Sequence, residues 1–133
     1  MKTFEPRTSR SFDVHRQVLP NGLIVLLVEN PAIPAIALSV SVLTGSRYEP
    51  EEKAGLALMA SRLLDEGTKT RTSLEIAEAI ESVGGILDTD GSYERTVVSS
   101  SVLKEDTDLA LELAADILIN PVFPEAFVEK EKS

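Results

Sequence analysis

The chain has 133 residues, 43% of them hydrophobic and 26% charged, enough for one domain with a core of its own. Its net charge of −9, from 22 acidic and 13 scattered basic residues, argues against nucleic-acid binding, and the lack of cysteine excludes disulfides, thiolate zinc sites and cysteine nucleophiles. No apolar run is long enough to cross a bilayer; Ile36–Leu43 comes nearest, and its interleaved serines suit a buried strand.

Met1–Ser11 is polar and reads as an N-terminal arm ahead of a domain over residues 12–133. It has no apolar signal core, so no export signal is expected, and the compartment stays open between cytoplasm and, for a chain relieved of its leader, periplasm. Val14–Leu19 alternates as a strand. Pro20-Asn21-Gly22 is a hairpin signal, and Leu23–Glu29, apolar on both faces, reads as a central strand. His15, the sole imidazole, lies in the first strand away from acids at ligand spacing, which makes it structural or solvated and no metal ligand. Asn30-Pro31 and Pro34 turn the chain into a third strand, Ala35–Leu43, with Ser39 and Ser41 at alternate positions.

Gly55–Thr68 carries apolar residues at Leu56, Met59, Ala60, Leu63 and Leu64, the stripe of a helix buried along one side, with Gly67 as its stop. Positions 58, 61 and 62 have the 0, 3, 4 spacing that gathers three side chains on one helical face. Leu58, Ser61 and Arg62 stand there. The basic loop Lys69-Thr70-Arg71 follows, then Thr72 and Glu75 in the form of a capping box. The helix they open turns Leu74, Ala77, Ile80 and Val83 inward and ends at Gly84-Gly85. That glycine pair lacks a spaced third glycine and precedes a strand, so it is no phosphate loop. Ile86–Asp90 and Tyr93–Val102 are strands joined by a turn at Asp90-Gly91-Ser92. Glu105, Asp106 and Asp108 favour a helix N-terminus, and Leu109, Ala110, Leu113, Ala114, Ile117 and Leu118 form its stripe up to Asn120-Pro121. A last helix, Pro124–Lys132, carries Glu129 and Glu131 on a charged face.

Several of these stretches, in this order, resemble the pitrilysin/insulinase zinc metallopeptidase family, which includes mitochondrial processing peptidase. They are the Leu19-Pro20-Asn21-Gly22-Leu23 hairpin, the strand ending Thr44-Gly45-Ser46-Arg47-Tyr48-Glu49, the helix framed by Gly55-Leu56-Ala57 and Glu66-Gly67-Thr68, and Gly84-Gly85 with its two strands. In the family the framed helix carries His-x-x-Glu-His, whose histidines bind zinc while the glutamate deprotonates water. On that alignment Leu58 and Arg62 replace the histidines and Ser61 the glutamate. Leucine cannot ligate a metal, serine is too weak a base, and a protonated arginine repels a dication. The resemblance further implies that Glu131, or failing it Glu129, is a leftover acid that supports a third-ligand glutamate, which would lie beyond Ser133.

The fold so implied is α+β: an antiparallel sheet of five strands packed on one face by three or four helices, incomplete at its C-terminus. No catalytic, metal or cofactor residue is expected on this chain, zinc being implied only for a catalytic partner. The function implied is that of a non-catalytic subunit or domain that supports a zinc-bearing partner and helps form a chamber around a peptide substrate. Two other readings stand beside it: a structural assembly subunit resembling the core proteins of the respiratory bc1 complex, and a hydrolase using residues that are not the family's. A sheet left with an unpaired edge is also expected to make the chain self-associate. Arg47-Tyr48 is not the arginine–tyrosine pair that such halves lend to a partner's active site.

Overall fold

The computed structural model describes residues 13–132, so the N-terminal arm lies outside the described residues. The chain forms two compact units, Met1–Pro34 and Ala35–Ser133.

The first unit is a hairpin. β1 (Val14–Val18) and β2 (Ile24–Val28) run antiparallel with Val14 opposite Val28 and Val18 opposite Ile24. The turn is the expected one, with Gly22 at φ 87, a left-handed value that suits glycine, and its N–H donating to the Leu19 carbonyl at 2.9 Å. Its two apolar faces mark β2 as central, but among the described residues it pairs with β1 alone, and every residue of both strands is exposed. Periodicity reports what a strand can bury and is silent on which neighbour does the burying.

The second unit is two-layered. β3 (Ala35–Val42), β4 (Ile86–Gly91) and β5 (Thr96–Leu103) make an antiparallel sheet in the order β3-β5-β4. The α+β class and all five strands are as read from the sequence, although they divide between two sheets. Thr96, Val98, Ser100 and Val102 of the central strand point to one face and are buried. Helices cover that face: α1 (Leu56–Arg62), α2 (Ser73–Glu81) and α3 (Thr107–Ile119), with α4 (Glu125–Glu131) following. Leu64, Ile76, Val98, Ala114 and Ile117 form one cluster of the core, and Ile80, Val102, Ala110 and Leu113 the adjoining one.

The helix limits and faces needed correction in places. α1 stops at Arg62, five residues before Gly67, whose φ of 147 instead serves an isolated bridge to Thr72. Leu63 and Leu64 are buried past the helix end, whereas Leu56 is 52% exposed, because so short a helix presents only its C-terminal turn to the core. In α2 Ile80 is buried, Ala77 is half-buried and Val83 packs beside the core as expected, but Leu74 is 65% exposed and Ile76 is buried instead. Thr72 does form the capping box, its Oγ1 accepting from Glu75 N at 3.3 Å while its own N–H donates to the Glu75 carboxylate at 2.8 Å. Gly85, beyond the end of α2, is glycine for a packing reason: a Cβ there would lie 2.8 Å from Ile80 Cδ1 and from Val102 Cγ1. The β4–β5 turn sits at Ser92–Arg95 rather than 90–92, with β4 extending through Gly91 and Ser92 N donating to Arg95 O at 2.9 Å.

Candidate functional site

α1 is built of good helix formers, Leu-Ala-Leu-Met-Ala-Ser-Arg, but starts from Gly55 at φ 94, which offers no capping side chain. Glu49 does the capping from a distance. Its carboxylate accepts hydrogen bonds from the backbone N–H of Gly55, at 2.9 Å, and of Ala57, filling orphan donors at the positive end of the helix.

The three motif positions do not share one environment. Ser61 is 1% exposed and packs on β4, where a Cβ on Gly91 would stand 2.1 Å from its Oγ; only glycine lets helix and strand approach so closely. The Ser61 hydroxyl donates to the carbonyl of Leu58 at 2.7 Å, one turn back along its own helix. Leu58 and Arg62 instead line an open cavity of about 570 Å³, together with Lys53, Leu56, Met59 and Glu131. The 0, 3, 4 spacing therefore brings two of the three side chains together and turns the third toward the sheet.

Arg62 Nη1 donates to Glu131 Oε1 at 2.6 Å, which ties α4 to α1. Their side chains are 57% and 30% exposed, which makes this a surface ion pair and not a buried one. Glu129, the other candidate acid, pairs within its own helix with Lys132 at 2.7 Å. His15 lies exposed in β1, and among the described residues no group of three or more His, Asp or Glu side chains stands together at ligand distance. The donor set at 58, 61 and 62 does not fit zinc: a hydrocarbon, a hydroxyl committed to a backbone carbonyl, and a guanidinium committed to a carboxylate.

A second polar centre was not anticipated. Asp116 of α3 accepts from Thr68 Oγ1 at 2.7 Å, Thr70 Oγ1 at 3.1 Å, Arg71 Nη1 at 3.0 Å and Asn120 Nδ2 at 3.0 Å, while Arg71 Nη2 also pairs with Glu112. Burial opposes the charged carboxylate, but the bonds from Thr68, Asn120, Arg71 and Thr70 outweigh it and hold Asp116 below the ordinary aspartate value. The signal for it was an aspartate set between Leu113, Ala114, Ile117 and Leu118 in an apolar stripe. Asp65, just after α1, shifts the other way: burial raises it, its own backbone hydrogen bond partly offsets this, and Glu66 and Asp88 push it further up.

Fold and site together define an α+β architecture in which helices cover one face of an antiparallel sheet, with Leu58, Ser61 and Arg62 on α1. The pattern of the Insulinase (Peptidase family M16) family matches residues 24–133, and the chain belongs to that family. It is 36% identical over 85% of its length to an uncharacterized zinc protease of Rickettsia felis, of which it covers 27%, and 35% identical over 86% to a probable mitochondrial-processing peptidase subunit beta of Arabidopsis thaliana, of which it covers 22%. Among solved structures, a peptidase M16 inactive domain from Pseudomonas fluorescens superposes with a TM-score of 0.84 at 25% identity, over 90% of this chain and 29% of that one. A protease from Helicobacter pylori gives 0.82 at 25% identity, over 92% and 29%. The chain thus spans less than a third of the proteins it matches.

Proposed function

We propose that the chain is a non-catalytic insulinase-family domain that supports a zinc-bearing partner and contributes wall and binding surface to a peptide chamber. The observation that carries this reading is the motif helix. Where relatives of the family place two imidazoles and a carboxylate, this chain has Leu58, a Ser61 hydroxyl turned into the sheet, and an Arg62 already paired with Glu131. The likeness to a structure described as an inactive domain supports it. Loss of the ligands removes the nucleophile generator while leaving the sheet and its helical layer intact, so the surface that remains is one for holding a peptide or a partner.

Two measurements test this. Metal analysis of protein purified without a polyhistidine tag is expected to find well under one equivalent of zinc, and the chain alone to hydrolyse no peptide. Mixed with a zinc-bearing subunit of the family, the chain is expected to co-sediment with it and raise its peptidase activity. One equivalent of zinc that is lost on Ser61→Ala or Arg62→Ala overturns the reading, as does a failure to bind any such subunit.

A further inference from the structure

We infer that the misfit to zinc reaches into the packing of the domain: position 61, where the family's motif holds the water-activating carboxylate, is in this chain the contact that seats α1 on β4. The inference rests on the non-catalytic reading and extends it, because a site given up in this way is not regained by restoring the three motif residues. Helix and strand both belong to the unit Ala35–Ser133.

Both sides of the contact carry the mark of it. Within α1 the buried residue is Ser61, so the helix meets the sheet through a small polar side chain and not through one of its leucines. Its hydroxyl is committed to the Leu58 carbonyl. On the strand side, Gly91 pairs in register with Thr96 and is not at a positive φ, so backbone freedom is no reason for glycine there. Glycine inside a strand weakens it and marks a place where something approaches closely. A Cβ at position 91 would stand 2.1 Å from Ser61 Oγ, 2.8 Å from Ser61 Cβ and 3.5 Å from Leu58 Cα. The 2.8 Å distance means that trimming Ser61 to alanine does not make room, because the obstacle includes the first carbon of the side chain.

A glutamate at position 61 replaces the hydroxyl with a methylene and a carboxylate. Ser61 also borders a cavity of about 640 Å³, but Leu64, Leu118 and Phe123 are among its walls, and a carboxylate turned there gives up hydration. Either that cost is met or α1 lifts from β4, and Leu63 and Leu64, buried just past the helix end, then lose cover.

Thermal unfolding of the 133-residue chain, followed by circular dichroism, tests the seat. Gly91→Ala is expected to lower the melting temperature by about 5 °C or more. Ser61→Ala removes the 2.1 Å contact and leaves the 2.8 Å one, so it is expected to recover part of that loss, and Ser61→Gly to recover more. Each double variant is compared with its own single variant at position 61, which cancels the cost of glycine in a helix. The triple variant Leu58→His, Ser61→Glu, Arg62→His is expected to melt below the double variant Leu58→His, Arg62→His, with zinc present or absent. A Gly91→Ala chain that melts like the unmodified one, or a loss that Ser61→Gly does not reduce, overturns the seat. A triple variant as stable as the double one overturns the claim that the motif cannot be restored. If the triple variant yields no folded protein, the Gly91 series still decides. The non-catalytic reading fails on different data, zinc bound by the unmodified chain or its failure to bind a zinc-bearing subunit.

Discussion

Arg62 and Glu131 meet because α1 and α4 converge on one open cavity, and the energetic meaning of the pair is set by its exposure. Buried, such a pair would cost several kcal/mol to break from one side; at 57% and 30% exposure the expected coupling is about 0–1 kcal/mol. A double-mutant cycle of Arg62→Ala and Glu131→Ala, read by urea unfolding, is expected to return that small value. A coupling above about 3 kcal/mol would mean that the cavity closes over the pair in solution. Asp65 supplies the opposite case. Its folded value is raised by burial first and by Glu66 and Asp88 after it, so ionising it costs stability above that value, and the cost disappears below the unfolded value. Asp65→Asn is therefore expected to raise the melting temperature at neutral pH and to lose its advantage as pH falls through the acid range. An advantage independent of pH would assign the gain to packing.

At the scale of elements, what was legible in the sequence was what is local. The Asn21-Gly22 turn, the Thr72–Glu75 capping box and the α3 stripe of Ala110, Leu113, Ala114 and Ile117 each rest on residues within a few positions of one another, and each is present. The resemblance supplied the element order. What could not be read depends on returns of the chain. Glu49 caps α1 across a loop holding a separate 3-10 turn at Glu51–Lys53, and Thr68 meets Asp116 from 48 residues away. At the start of α2 Leu74 was expected inward in place of Ile76, because the two are equally apolar and only the sheet decides which is covered. Both long-range devices can be tested by stability. Glu49→Gln keeps shape and some hydrogen bonding but removes the charge at the helix start, and is expected to cost about 0.5–1 kcal/mol. Asp116→Ala removes the shared acceptor of Thr68, Thr70, Asn120 and Arg71, leaving Arg71 with Glu112, and is expected to cost about 3 kcal/mol. The Asp116 contribution is fully present above the unfolded aspartate value and is lost as pH falls through its lowered folded value, so the Asp116→Ala deficit should shrink in acid. A deficit that persists unchanged at low pH would deny the carboxylate its role.

For the whole molecule, the division at Pro34 sets an order of stability. The hairpin β1–β2 has two strands of five residues, every one exposed, and a two-stranded hairpin in water is marginal by itself. β5 is the reverse: hydrogen-bonded on both sides, covered by α3, with Val98 at 0% exposure. Amide protection follows the free energy of the opening that exposes each N–H, which runs from near zero in weakly packed segments to the global value in the core. Native-state hydrogen exchange is therefore expected to find the Val14–Val28 amides exchanging orders of magnitude faster than those of Val98–Val102, with α2 and α3 near β5. Protection of the hairpin equal to that of β5 in dilute protein would show that the two units unfold as one, and that the hairpin's apolar faces are covered whenever the core is formed.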